Sequence, residues 1–245
     1  MTQSVKSSME QVIYEDLKQA ILKRKLRPGT QLLETTISER LQVSRTPIRA
    51  ALRRLAQEGL IDLVPNRGAF VIQPSQEEIQ EAYQMRARLE LMGLELGAGQ
   101  FTEADFQRME HACQDEVAAL ERGDMLAYLA ANKLFHQLLV SRSGNRFLVG
   151  MTDQLLEKTN IYVMLYDLFY DRQYHATTDP IPAGAQQHRA ILAALRAGNI
   201  DQASKRLEEH VVQSVAELKT TRPGYLGLDE LWRDSSNANN ALPTS

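Results

Sequence analysis

The sequence predicts a mainly α-helical protein in two parts, a small three-helix head closed by a β-hairpin and a larger all-helical antiparallel bundle. Three observations carry this expectation. Apolar residues recur at helical spacing through most of the 245 residues. The convincing β-prone runs sit together within residues 60–73, on either side of a Pro-Asn-Arg-Gly turn. The charge also reverses along the chain: residues 1–74 carry 12 Lys and Arg against 7 Asp and Glu, net +5, whereas residues 75–245 carry 16 against 24, net −8.

In chain order, Val12, Ile13, Leu17, Ala20 and Ile21 mark a first helix from Met9 to about Lys25, stopped by Arg27-Pro28-Gly29. A short helix follows at about Thr36–Leu41, with Ile37 and Leu41 on one face. Ile48, Ala51, Leu52, Leu55 and Ala56 then form the stripe of a third helix, with Thr46 as expected N-cap, Pro47 at the first helical position and Gly59 at the end. The hairpin completes the outline of a winged helix-turn-helix over residues 1–74. Beyond Ser75, helical patterns run over about 76–98, 103–122, 124–142, 145–171, 183–197 and 199–220, an antiparallel bundle of about six helices. The polar residues 221–245 read as a flexible tail.

A length of 245 residues with 43% hydrophobic and 24% charged residues suits two globular domains with separate cores. The one cysteine, Cys113, cannot form an internal disulfide, and no apolar run has the length of a signal peptide or membrane span, so a cytoplasmic protein without membrane contact is expected. A basic head beside an acidic remainder suits contact with phosphates at one end only.

On the third helix, Arg49 and Arg53 lie one turn apart opposite the apolar stripe, with Arg45 and Thr46 at its N-terminal end. Arginine can present two parallel N–H groups to guanine O6 and N7, and a helix N-terminus favours phosphate. Arg67 and Gly68 at the hairpin tip would let backbone approach a duplex while a cation meets phosphate or the minor groove. The alternative is a set of arginines that only solvate the surface. The stretch "ISERLQVSRTPIRAALRRLAQEGLI" with the wing "NRGAFV" resembles the GntR family of bacterial transcription regulators over residues of about 12–73. That resemblance implies base and phosphate contacts for Arg45, Thr46 and Arg49, a capping or phosphate role for Ser44, and Gly68 at the wing. Ala50 stands where the family usually has Glu, and Thr35 where some members carry a DNA-contacting Arg.

In the bundle, His136 shares a face with Leu129, Asn132, Leu139 and Val140, His188 with Ile191, Leu192 and Leu195, and His210 with Leu207, Val211 and Ser214. Three inward imidazoles are either satisfied core histidines or ligands of one metal, with the Asn132 amide beside His136. His111 is expected to face solvent and His175 to lie near a loop. Arg86 falls on the stripe of Ile79, Ala82, Tyr83, Leu89, Gly93 and Leu96, where a buried cation needs a negative partner, either Glu90 one turn on or an external anion. Residues of about 78–218 resemble the FCD ligand-binding domain of one GntR subgroup, through "YQMRARLE", "NKLFHQLL", "QQHRAILAALRAGN" and "ASKRLEEHV". The resemblance implies a divalent metal, zinc or nickel, at Asn132, His136, His188 and His210, and a small carboxylate effector reached by Arg86. Asn132 stands where Asp is frequent, and a neutral amide is the weaker ligand.

The expected function is therefore an effector-responsive, DNA-binding transcriptional repressor, acting as a homodimer on a short palindromic operator. A metal-dependent enzyme is the competing class, but there is no Glu-x-x-His or His-Glu-x-x-His motif and no evident general base. An architectural DNA-binding protein, whose interior histidines and Arg86 serve packing alone, is the third.

Overall fold

A computed structural model describes residues 8–166 and 183–218 together with Leu228 and Leu231. The chain divides into two compact units, one containing the residues up to Gln73 and the other Pro74–Thr220. The expected flexible tail, His175 and the last residues of the helix expected at 145–171 lie outside the described residues, Leu228 and Leu231 excepted.

The first unit runs α1 (Met9–Leu22), β1 (Gln31–Leu32), α2 (Glu34–Leu41), α3 (Arg45–Gln57), β2 (Ile61–Val64) and β3 (Gly68–Val71). The stripe of α1, Ile13, Leu17 and Ile21, packs with Ile48, Leu52 and Leu55 of α3 and Ile37 of α2 to form a core that water scarcely reaches. At its edge the Arg54 guanidinium lies over the Tyr14 ring, 3.8 Å from the centroid, and Lys18 bridges the Tyr14 hydroxyl and Glu58. Helix α3 begins two residues earlier than the proline suggested. Ser44, extended at φ −69° and ψ 163°, is the N-cap by backbone position, so Thr46 and Pro47 are the second and third helical residues. Proline fits there because first-turn N–H groups have no intrahelical acceptor to lose. Two antiparallel pairings set the sheet order β1-β3-β2, with Val64 opposite Gly68 across the hairpin and Leu32 opposite Ala69. The short strand β1 was not expected from the sequence. Asn66 and Gly68, at φ +61° and +98°, take the left-handed conformations the wing turn requires.

The second unit holds α4 (Gln76–Leu96), α5 (Glu103–Glu121), α6 (Met125–Val140), α7 (Arg146–Tyr166), α8 (Ala183–Arg196) and α9 (Ile200–Glu217). Side-chain caps mark the starts of α4, α5, α6 and α9. Ser75 accepts the Glu78 N–H, Asp124 that of Ala127 and Asn199 that of Gln202, while Thr102 and Asp105 form a reciprocal capping box. Helix α4 is central, packing on α6, α7 and α9. Gly93 makes its approach to α6 possible, since a Cβ there would lie 2.5 Å from Val140 Cγ1. Between the helices, Arg86, Glu90, Glu116, Asn132, His136, Thr159, His188 and His210 form a polar interior inside an otherwise apolar core. No described helix is long and apolar enough to cross a membrane.

Candidate nucleic-acid interface and metal centre

Ser44, Arg45, Thr46, Arg49 and Arg53 are all exposed at the N-terminal end and outer face of α3, and Arg67 and Gly68 are exposed on the wing. The apolar stripe of α3 faces the core, and the opposite face is left to these side chains. Arg49 is held, however: its Nε lies 2.9 Å from both carboxylate oxygens of Glu34, at the start of α2. The arrangement steadies the guanidinium from its Nε side while the side chain stays exposed. Arg53 donates a long 3.3 Å bond to the Arg49 carbonyl. On the wing, Gln31 of β1 donates to the Arg67 carbonyl at 2.6 Å, and the Arg67 guanidinium sits 5.4 Å from the Phe70 ring centroid. A cation is thus kept at the tip of a braced turn.

The three interior histidines come together from α6, α8 and α9. His188 Nε2 is 3.2 Å from His136 Nε2 and 3.1 Å from His210 Nε2. Each Nδ1 points outward to an oxygen: Glu90 Oε2 at 2.8 Å for His136, Glu116 Oε2 at 2.9 Å for His188 and Gln187 Oε1 at 2.8 Å for His210. Carboxylates only accept, and the Gln187 amide nitrogen is directed at Gln213 Oε1, so the Nδ1 atoms are donors and the Nε2 atoms carry lone pairs. Burial, then the Arg86 charge and the neighbouring His188, holds the His136 imidazole well below its ordinary range; burial and the other two imidazoles do the same for His210. Both rings are neutral at neutral pH, the form that binds metal.

Three lone pairs converging at such distances repel one another unless a cation lies between them. With metal–nitrogen bonds of about 2.0–2.1 Å, ligands of one ion are separated by roughly 2.9–3.4 Å. The two distances from His188 Nε2 fall in that range, and the three ligand atoms all lie within 4.8 Å of one another. The outward hydrogen bonds to oxygen are also the arrangement that orients metal-bound imidazoles.

Arg86 borders this cluster. Its Nε donates to Glu90 Oε1 at 2.6 Å and its Nη1 to Thr159 Oγ1 at 3.3 Å, while Nη2, buried, has no hydrogen-bond partner among the described residues. Glu90 therefore spans Arg86 and His136 with its two oxygens. Asn132 is nearly buried, and its amide donates at 3.4 Å to Asn160 Oδ1. His111 is exposed on α5.

Residues 9–71 match the model of the bacterial regulatory proteins of the gntR family, and residues 81–213, over half the chain, match the FCD domain. The chain belongs to the GntR family and carries an FCD domain. Its GntR relatives include the probable D-xylose utilization operon transcriptional repressor of Paenarthrobacter nicotinovorans, 31% identical over 204 residues that span 82% of this chain and 83% of the relative. The regulator McbR of Escherichia coli is 29% identical over 84% of this chain and 90% of its own length. Among solved structures, E. coli McbR/YncC superposes with a TM-score of 0.57 at 26% identity, covering 86% of this chain and 96% of that one. A GntR regulator from Rhodococcus sp. RHA1 gives 0.61 at 25% identity, covering 86% and 97%. This GntR protein is a DNA-binding transcriptional regulator, in a family of regulators and not of enzymes.

Sequence reasoning missed Glu34, Gln31, Glu116 and Gln187, and gave Glu90 only its Arg86 contact. Glu116 carried a usable signal, because it continues the stripe of Met109, Ala112 and Cys113 on α5, where a charge is out of place. Glu34 and Gln187 act across helices and left no periodic trace.

Proposed function

We propose that this protein is an effector-responsive repressor in the cytoplasm, binding a short palindromic operator as a homodimer and sensing a small organic acid at a metal-containing site in its FCD domain. The observation that carries the sensing half is the convergence of three buried imidazoles beside a buried arginine with one nitrogen that has no hydrogen-bond partner among the described residues. His136, His188 and His210, with Asn132 at the edge, hold the divalent ion, zinc or nickel. When bound, the ion supplies a Lewis-acid position for an anion. Arg86 Nη2 offers that anion a charge-assisted hydrogen bond, Glu90 and Thr159 hold the guanidinium in place, and burial excludes competing water.

For DNA, Arg45, Thr46 and Arg49 at the start of α3 meet bases and phosphates in the major groove, Ser44 and Arg53 flank them on the backbone, and Arg67 with Gly68 approaches from the wing. Repression is favoured by the repressors among the relatives. A two-fold operator needs two heads, and the second unit has a face suited to bring them. Met85, Leu89, Met92 and Leu96 follow the 4-3-4 spacing of a helix–helix seam along the outside of α4, and α7, which packs on α4, adds Phe147 and Met151; all but Leu89 are well exposed.

The test is a thermal-shift screen of organic acids against zinc-loaded, nickel-loaded and EDTA-stripped protein, followed by fluorescence anisotropy on operator DNA. An acid that stabilises only the metal-loaded protein and changes its operator affinity is the expected result. Stabilisation that ignores the metal, or no acid acting at all, overturns the sensing half.

A further inference from the structure

Two buried carboxylates touch the histidine cluster, and their surroundings differ. Glu90 is compensated by Arg86 at 2.6 Å as well as by His136. Glu116, on α5, is fully buried with Oε2 accepting from His188 Nδ1, and its other oxygen, Oε1, has no hydrogen-bond partner among the described residues. Among those residues its ion-pair partner is the His188 imidazole alone. A buried carboxylate with one hydrogen bond and no guanidinium or ammonium is costly, and an apolar side chain of similar volume would serve packing better. Packing alone therefore gives no reason for an acid at this position.

A cation on the far side of His188 gives one. The hydrogen bond from Nδ1 to Glu116 fixes the tautomer, aims the Nε2 lone pair at the point shared with His136 and His210, and makes that nitrogen a stronger donor to a metal. Phe135, stacked on the His188 ring at 4.3 Å, holds the ring plane but cannot choose its tautomer. Gln187 orients His210 without charge, and Glu90 divides its charge between Arg86 and His136. Glu116 is the acid whose charge is directed wholly to the centre.

We propose that Glu116 is the positioning residue of the metal centre: it fixes His188 as an Nε2 ligand and supplies the negative charge that a divalent ion at the three imidazoles balances. The proposal rests on reading the cluster as a metal site. It has a consequence that a structural role lacks, which is that removing the charge weakens metal binding without weakening the metal-free fold.

The full chain, stripped with EDTA, is titrated with zinc sulfate against a chromophoric chelator, for wild type, Glu116→Gln and Glu116→Met, and each form is melted with and without zinc. Wild type is expected to take up one zinc per chain. Both variants should bind it about 10–100-fold more weakly, with metal-free melting temperatures equal to or above that of wild type. Cobalt-loaded wild type and Glu116→Gln should also differ in their visible absorption bands. Wild-type affinity in both variants overturns the role of Glu116 and leaves the metal site standing. Loss of metal-free stability in both variants assigns Glu116 to packing and likewise overturns the proposal. A wild-type protein that binds neither zinc, nickel nor cobalt overturns the metal reading itself.

Discussion

The contribution of Arg49 depends on geometry that one side chain cannot set alone. In the proposed role its fork would meet guanine only with the two terminal nitrogens presented together, and Glu34 holds the Nε side. Arg49→Ala is expected to lose about 1–3 kcal/mol of discrimination at one base pair of each half-site, measured by anisotropy across single-base operator variants. An unchanged preference profile would remove Arg49 from base reading. Lys should recover affinity and not discrimination, because an ammonium is a point charge. In the second unit, His188→Ala removes the imidazole that stands between the other two, and stoichiometric metal should vanish from protein purified without an affinity tag. Metal retained by that variant would place the ion elsewhere. Cys113 is buried on α5, and burial pushes its thiol up to about 12, so at neutral pH it stays a thiol.

Helix ends and helix approaches decide whether the ligands meet. The start of α5 is fixed by the Thr102–Asp105 capping box and by a two-pronged contact in which Arg142 Nε and Nη2 donate to Asp105 at 2.8 and 2.9 Å. Arg142 first, and the Thr102 bonds after it, against the opposing effect of desolvation, hold the Asp105 carboxyl well below the usual carboxylate range. The folded pKa is thus depressed, so the stabilisation is complete above the unfolded value of about 3.9 and is lost as pH falls through the lower folded value. Asp105→Asn should cost about 1–3 kcal/mol at pH 7, and the difference from wild type in urea unfolding should shrink on acidification. A difference that stays constant with pH would deny the carboxylate its role. On α4, Gly93→Val forces side chain into the space of Val140 and should destabilise by about 1–3 kcal/mol, reported by the same unfolding curves. Glycine at that position is a requirement of close packing, since its backbone is ordinary helix.

For the whole molecule, the two-unit organisation carries its own consequences. Residues 1–74 alone should fold, because their core closes within α1–α3 and the sheet, and should bind a full operator weakly for want of a linked second head. Tight cooperative binding by the isolated head would contradict the assignment of dimerisation to the helical unit. Charging the seam, with Met92→Glu and Phe147→Glu together, is expected to shift full-length protein from dimer to monomer in light scattering and to weaken operator binding without unfolding the chain. Removing metal should act differently, lowering the melting temperature of the dimer; at free metal about a hundred times the dissociation constant, the stabilisation lost is about 2.7 kcal/mol.

Periodicity alone determined which segments are helices and which face of each is apolar, because burial of an amphipathic stripe is a local property with a local signature. The helix-turn-helix, the wing hairpin and the inward placement of His136, His188, His210 and Arg86 were therefore legible, while the family was legible only through the resemblance of particular motifs such as "VSRTPIRAAL" and "NKLFHQLL". Local signals failed where a neighbour overrode them: the proline at position 47 pointed to a later start for α3, and the two residues of β1 were too few to show a period. Pairings between elements were decided only by tertiary structure. That Glu34 holds Arg49, that Glu90 serves both Arg86 and His136, and that Glu116 and Gln187 set the tautomers of His188 and His210 depends on helix approaches that no single-helix pattern encodes. The inward phase of a histidine is a property of its own helix, but the direction of its lone pair is set by an oxygen on another part of the fold, and that oxygen decides whether the imidazole can bind a metal.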